Sequence, residues 1–230
     1  MKKIGADIWV HEDAMTLMGM KLRLRMTIVK LANGGLWIHS PTALSPELKE
    51  ETAQLGSVRF IVGASNGHNL WLQEWQDAFP DAAIYVSGGI PKKLKLTNYQ
   101  VLDESGENIW EEDLAREYMH GVPLLNESVF FHKKTKSLIV TDLIQNYSDK
   151  RPPGLAGFMA KYIFEPMGFK GMCLAPPLKM GFVIKDKQKF ALFIKKIQSH
   201  DFDRIIVTHG DIIESNAKQI FGNLCERFLK

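Results

Sequence analysis

The 230-residue chain has only two cysteines, Cys173 and Cys225, and neither belongs to a C-x-x-C pair. That excludes a zinc ribbon, a dithiol redox motif and a disulfide framework, and it favours a reducing, cytoplasmic setting. No run approaches the ~18 uninterrupted apolar residues of a membrane-spanning helix, so no membrane partner is expected. Met1 to Asp7 lack the apolar stretch of a secretory signal. Charge of one sign is also scarce. Against 29 Lys and Arg stand 26 Asp and Glu, a net +3 mixed along the chain, too little to call for a nucleic acid partner. The densest basic run, Lys92, Lys93 and Lys95, carries no aromatic for base stacking and reads as a solvated face. Missing too are a phosphate loop of the GxxxxGK[ST] type, a GxGxxG turn after a strand, an HExxH helix and a Gly-x-Ser-x-Gly elbow. With no repeat, low-complexity tract or convincing linker, one domain over residues 1–230 is expected.

What remains is an ordinary folding composition, 45% hydrophobic and 24% charged, which argues against disorder. Ile8-Trp9-Val10 and Met26-Thr27-Ile28-Val29 read as strands, and Asn33-Gly34-Gly35 as a hairpin turn returning through Leu36-Trp37-Ile38-His39. Ser45 caps a helix opened by Pro46. Strands at 58–62 and 83–86 flank a helix with Trp71, Trp75, Ala78 and Phe79 on one face, and Gln100-Val101-Leu102 is a further strand. Glu112 to Tyr118 reads as a short helix. Residues 129–132 and 138–141 form a second hairpin, and residues 155–169 form an apolar helical stretch between the Pro152-Pro153 and Pro176-Pro177 breaks. Asp186 caps a helix with the stripe Phe190, Phe193, Ile194 and Ile197. A strand over 202–208 and a last helix burying Ile213 through Phe228, Cys225 among them, close the chain. The class is α/β. A doubly wound sheet and a four-layer αββα sandwich both accommodate these elements, and the two hairpins favour the sandwich.

Three polar residues each follow a buried strand: His68 after Phe60-Ile61-Val62, Asp142 after Leu138-Ile139-Val140-Thr141, and His209 after Ile205-Ile206-Val207-Thr208. Strand ends present side chains to a common crevice, and imidazole and carboxylate together suit zinc, iron or manganese. The bland alternatives are a helix-start hydrogen bond for His68, a turn cap for Asp142, and a tight turn at His209-Gly210-Asp211 with Asp211 as helix cap. His11, His39, His120, His132 and His200 show no ligand spacing, and Glu127 reads as exposed unless the fold turns it inward.

The strings Gly35-Leu36-Trp37-Ile38-His39-Ser40-Pro41, His68-Asn69-Leu70-Trp71-Leu72-Gln73-Glu74-Trp75, Val129-Phe130-Phe131-His132 and Thr141-Asp142-Leu143 resemble an uncharacterised bacterial family, domain of unknown function 4336. That family looks like a divergent metallo-β-lactamase fold, and the resemblance runs from about Ile8 to the final helix. It implies the αββα sandwich, with Asp142 as the family's bridging carboxylate and His209 as its last histidine. Active relatives carry HxHxDH where this chain has Ala64-Ser65-Asn66-Gly67-His68-Asn69, so His68 falls at the aspartate's position. Their next histidine faces Leu124-Leu125-Asn126-Glu127 here, which makes Glu127 the nearest substitute, ahead of His120.

The expected metal set is therefore His68, Glu127, Asp142 and His209, a mononuclear site for one divalent metal (zinc, iron or manganese), or no metal at all. Two functions follow. One is a metal-dependent hydrolase of an ester, thioester, amide or phosphodiester bond. The other is a non-catalytic relative that binds a small molecule or a protein with a degenerate metal site. Residues 158–169 and 172–180, rich in Phe, Met, Pro and Gly, read first as core packing and otherwise as a crevice cover or homodimer patch.

Overall fold

A computed structural model of the chain describes residues 1–17, 20–91, 94–106, 108–147, 153–167 and 170–229. Lys92, Lys93, Pro152 and the 168–169 end of the apolar stretch lie outside the described residues.

Seven strands form the first sheet in chain order: β1 (Lys2–Gly5), β2 (Ile8–Leu17), β3 (Met20–Lys30), β4 (Leu36–His39), β5 (Val58–Gly63), β6 (Ala83–Ser87) and β7 (Tyr99–Leu102). β1 to β4 run antiparallel, and β4 to β7 run parallel. The first two parallel links are made through α1 (Pro46–Leu55) and α2 (Leu72–Ala78), and β6 runs on to β7 with no helix among the described residues. The Ser45 hydroxyl accepts from the Leu48 amide at 3.2 Å and starts α1 as its residue type predicts. A second sheet orders β13 (Arg204–Val207), β10 (Ser137–Val140), β9 (Ser128–His132) and β8 (Leu114–Tyr118), with β10 and β13 parallel. β11 (Ile144–Tyr147) and β12 (Gly171–Leu174) pair separately.

Period-two alternation decides the layers. Ile28, Ile38, Ile61 and Ile84 point to the outer face of the first sheet, where Leu48 of α1 and Trp75 of α2 cover them. Their neighbours Val29, Trp37, Val62 and Tyr85 point inward and meet Phe130, Ile139 and Ile206 of the second sheet. The remaining set, Val129, Leu138, Val140, Ile205 and Val207, packs under α6 (Lys187–Ser199) and α7 (Ala217–Cys225). The result is helix, sheet, sheet, helix: the four-layer αββα sandwich. Strands covered on both faces read as unbroken apolar runs, which is why β5, β10 and β13 were visible in the sequence. No helix among the described residues is long and apolar enough to cross a membrane.

Several local expectations are corrected. Residues 114–118 are β8 rather than a helix, because pairing Leu114 to Tyr118 with His132 to Ser128 buries Leu114 and Ala115. Tertiary pairing here overrides local propensity. Pro176 opens the short helix α5 (Pro176–Met180) instead of breaking one. Ile213 precedes α7 and bridges back to Ile205. The apolar stretch is helical but does not pack in a core: Leu155, Phe158, Tyr162 and Ile163 are exposed, whereas Leu174, Ala175 and Leu178 further on are buried.

Phe130 is fully buried between the sheets, with its ring 4.8 Å from that of Trp37. Truncating it leaves a cavity on both inner faces, so Phe130→Ala is expected to lower stability by about 3–5 kcal/mol in urea unfolding. A loss below about 1 kcal/mol would contradict the inter-sheet packing.

Candidate metal centre

β10 and β13 lie side by side in parallel register, Val140 against Val207, so both chains leave the sheet at the same edge. The Thr208 amide donates to the Val140 carbonyl at 3.2 Å and keeps the two exits together. Asp142 and His209 each come two residues after their strand. His68 approaches from the first sheet through the loop after β5. That loop is fastened to the second sheet, since the Ser128 amide donates to the Ala64 carbonyl at 2.9 Å and the Asn66 amide to Leu125 at 3.0 Å.

Three side chains meet there. His68 Nε2 and His209 Nε2 are 3.1 Å apart, and Asp142 Oδ1 stands 3.3 Å from the first and 3.6 Å from the second. Among the described residues this is the group of His, Cys, Asp or Glu with metal-binding geometry, one donor atom from each. Donors bound at about 2.0–2.1 Å around a tetrahedral cation stand roughly 3.3–3.4 Å apart, close to the three separations found. The donor set, two imidazoles and a carboxylate, therefore fits one divalent ion.

The remaining polar atoms of these groups are tied down. His209 Nδ1 lies 3.0 Å from the Arg23 carbonyl, so Nδ1 carries the proton and Nε2 keeps its lone pair. The proton between the two rings then belongs to His68 Nε2. The Ser65 hydroxyl donates to Asp142 Oδ2, which leaves Oδ1 toward the imidazoles. Burial alone would push the Asp142 carboxyl up, but the neighbouring His68 and His209 hold it well below the usual carboxylate range.

Glu127 is fully buried but stands outside this group. Its two oxygens accept from the Thr141 amide at 2.7 Å and the Asp142 amide at 3.0 Å, so it holds the backbone that carries Asp142. In this structure the expected fourth donor, Glu127, turns its lone pairs into the β10 exit and not toward the three donor atoms. Burial, reinforced by Asp142, pushes its carboxyl up to about 8 against the pull of those amides. His120 also lies elsewhere, 3.5 Å from Glu104. His39 is a core residue whose Nε2 sits 3.2 Å from the Thr141 hydroxyl, and burial pushes its imidazole down to about 3.

The positions that hold histidines in HxHxDH do other work in this chain. Ala64 packs between the sheets. Asn66 is a rivet: its Oδ1 accepts from the Ser87 hydroxyl at 2.6 Å and the Gly89 amide at 2.9 Å, while its Nδ2 donates to the Leu124 carbonyl at 3.1 Å. Asn69 donates to the Asn66 carbonyl at 2.9 Å.

Sequence reading missed the support from β3. Arg25 is buried, with Nη1 donating to the Val207 carbonyl at 2.6 Å and Nη2 pairing with Glu12 at 2.6 Å. Arg23 meets Asp211 at 2.8 Å, so Asp211 is held by an ion pair and does not cap α7, whose cap position is Asn216. The signal was present as two arginines alternating with Leu24 and Met26 on one strand, but their targets lie some 180 residues away. Gly210 completes the support. At φ +96° it lies in the left-handed region, and a Cβ there would stand 1.8 Å from the Asn146 carbonyl, so only glycine lets β11 approach the His209 turn.

No curated protein matches the chain. Among solved structures, a metallo-β-lactamase from Pontibacter korlensis superposes with a TM-score of 0.63 at 15% identity, covering 98% of this chain and 97% of that one. The FIM-1 metallo-β-lactamase from Pseudomonas aeruginosa, in its mono-zinc form, gives 0.60 at 11% identity, covering 98% and 94%. A flavodiiron core from Synechocystis sp. PCC6803 gives 0.65 at 9% identity, and there the coverage is 98% of this chain but 59% of the other. At such identities the likeness is one of fold: this is a divergent metallo-β-lactamase fold. The sequence profile described as Domain of unknown function (DUF4336) matches residues 6–162, more than half of the chain, and the chain therefore belongs to that family.

Proposed function

We propose that the protein is a metal-dependent hydrolase with a mononuclear site, in which His68, Asp142 and His209 hold one divalent cation. The reading rests on one observation, the three donor separations of 3.1, 3.3 and 3.6 Å. A divalent cation so held would supply Lewis acidity toward a carbonyl or phosphoryl oxygen and would lower the pKa of water. Everything else falls to the chain. The Arg23 carbonyl fixes the His209 tautomer, the Ser65 hydroxyl orients Asp142, and Glu127 fixes the backbone of residues 141 and 142. To hold the cation, His68 would bind through Nε2 as a neutral imidazole with its proton on Nδ1. The substrate class is an ester, thioester, amide or phosphodiester.

A second reading draws on Asn66 and Ala64. With those positions committed to structure and His68 standing where active relatives have the aspartate, the crevice is a binding site for a small molecule or protein, without turnover. Assay of the metal-loaded and the chelated protein on the four bond classes separates the two. Metal-dependent hydrolysis of any class supports the first reading, and a loaded protein inert on all four supports the second.

Metal binding itself is tested on protein purified without chelator and reconstituted with zinc, iron or manganese. Elemental analysis is expected to give close to one equivalent per chain and a raised melting temperature. Asp142→Ala and His209→Ala are each expected to lower the bound metal at least tenfold. Less than a tenth of an equivalent of any transition metal in the reconstituted wild type overturns the reading.

Glu127→Gln separates support from ligation. Replacing one acceptor by an amide leaves a buried backbone N–H unsatisfied, which costs about 1–3 kcal/mol in urea unfolding. The metal equivalent is expected to stay near one. Loss of metal at unchanged stability would make Glu127 a ligand after all.

A further inference from the structure

Two helical segments carry large exposed apolar side chains, and they differ in charge. From α3 (Gly154–Met159) to α4 (Glu165–Met167), Lys161 balances Glu165. α6 has no such balance. Over residues 185–196 stand Lys185, Lys187, Lys189, Lys195 and Lys196 against Asp186 alone, 5 − 1 = +4. Asp186 caps the helix, its Oδ1 accepting from the Lys189 amide at 2.9 Å. All five lysines are exposed, and none has an ion-pair partner among the described residues. Phe190, Phe193, Ile194 and Ile197 turn one side of α6 into the core, which leaves the lysines the outer side. Leu192, 58% exposed, stands among them, with Lys189 three positions before it and Lys195 and Lys196 three and four after.

The opposite charge is concentrated in residues 103–113. They hold Asp103, Glu104, Glu107, Glu111, Glu112 and Asp113 with no Lys or Arg, a sum of −6. This run is fastened to β8, the edge strand of the second sheet. Arg116 of β8 donates to the Asp103 carbonyl at 3.0 Å and the Gly106 carbonyl at 2.6 Å, and Asn108 Nδ2 donates to the Leu114 carbonyl at 2.7 Å. Trp110 anchors the run in the core between the sheets. Two of the acids have local partners, Glu104 with His120 at 3.5 Å and Glu111 with Lys133 at 3.0 Å, yet both stay more than half exposed. Glu112 has no ion-pair partner among the described residues. Ile109, 52% exposed, lies in the middle of the run.

The two surfaces border the same edge. α6 packs against β8, and His200 at the end of α6 meets Glu117 of β8 at 2.9 Å. At its start, the Lys185 amide donates to the Gly121 carbonyl at 2.8 Å, next to His120 and its partner Glu104. Basic and acidic surfaces side by side are self-complementary, because a two-fold axis sets each against its opposite in a second copy. We infer that the chain pairs with a second copy of itself in this way, α6 of each on residues 103–113 of the other. The same apposition brings Leu192 toward Ile109, an apolar centre within a charged rim. A nucleic acid or an anionic bilayer fits less well, since the acidic run beside α6 would repel it. Rim charges steer and select more than they hold, so a dissociation constant on the order of micromolar is expected.

The test is sedimentation velocity of the full chain from about 1 to 100 µM. A monomer–dimer equilibrium is expected, weakened about tenfold or more between roughly 50 and 500 mM salt. Lys189→Glu with Lys196→Glu, and separately Glu104→Lys with Glu112→Lys, are each expected to weaken it about tenfold or more, because like charges then face one another. Melting temperatures should hold, since these side chains are exposed. Mixing the two variants is expected to restore dimer to wild-type strength, because both contacts of the mixed dimer again join opposite charges. A wild type that stays monomeric at about 100 µM in low salt overturns the inference. So does a dimer indifferent to either reversal, or a loss that mixing does not restore. A monomer whose α6 lysines bind duplex DNA or phosphatidylserine vesicles also overturns it, since another occupant then takes the face. None of the four substituted residues belongs to the metal centre, and repeating the measurement with a chelator keeps this result separate from the metal reading.

Discussion

The parallel pairing of β10 with β13 is the constraint on which the site depends. Two strands 67 positions apart at Val140 and Val207 leave the sheet together, and that exit sets Asp142 and His209 within reach of one another. Parallel strands must be buried on both faces, which demands the helices α6 and α7 outside and a second sheet inside. The four layers and the meeting of the three donor atoms are thus consequences of the same burial. A crevice at the carboxyl ends of strands is where such architectures place ligands, because the backbone there is fixed while the side chains are free to vary.

Around that exit the chain spends polar groups to hold polar groups. Glu127 gives both carboxylate oxygens to amides of the Asp142 segment, Arg25 gives a guanidinium N–H to the Val207 carbonyl, and Arg23 gives its own carbonyl to His209. Each is a long-range bond at low exposure, where an unsatisfied partner is costly. The loop carrying His68 is fastened in the same way by Asn66. Where HxHxDH has three histidines, this chain has the packed Ala64 and the hydrogen-bonded Asn66 and Asn69, which leaves His68, Asp142 and His209 as a single set of donors.

Much of this was legible in the sequence wherever one physical signal dominated. Apolar runs gave β5, β10 and β13, the Asn33-Gly34-Gly35 turn gave the β3–β4 hairpin, and Ser45 and Asp186 marked helix starts by their capping chemistry. His68, Asp142 and His209 stood out because each follows such a run. β8 reads as a helix in the sequence because Leu114 to Tyr118 has a helical composition, and only the pairing with β9 makes it a strand. The polar outer length of β2 and β3 carries alternating charges and no core signal, so the ribbon was invisible beyond its base. Glu127 is a candidate donor in the sequence by position alone. Its role depends on which way the buried carboxylate turns, and no local pattern encodes that.

On the proposed reading, two imidazoles and one carboxylate from three distant segments bind one cation together. X-ray absorption at the zinc edge of the zinc-loaded chain measures the inner shell directly. Two imidazole nitrogens are expected at about 2.0–2.1 Å with oxygen completing a tetrahedral shell, falling to one imidazole in His209→Ala. A shell of oxygen alone, or one unchanged by that substitution, would contradict it.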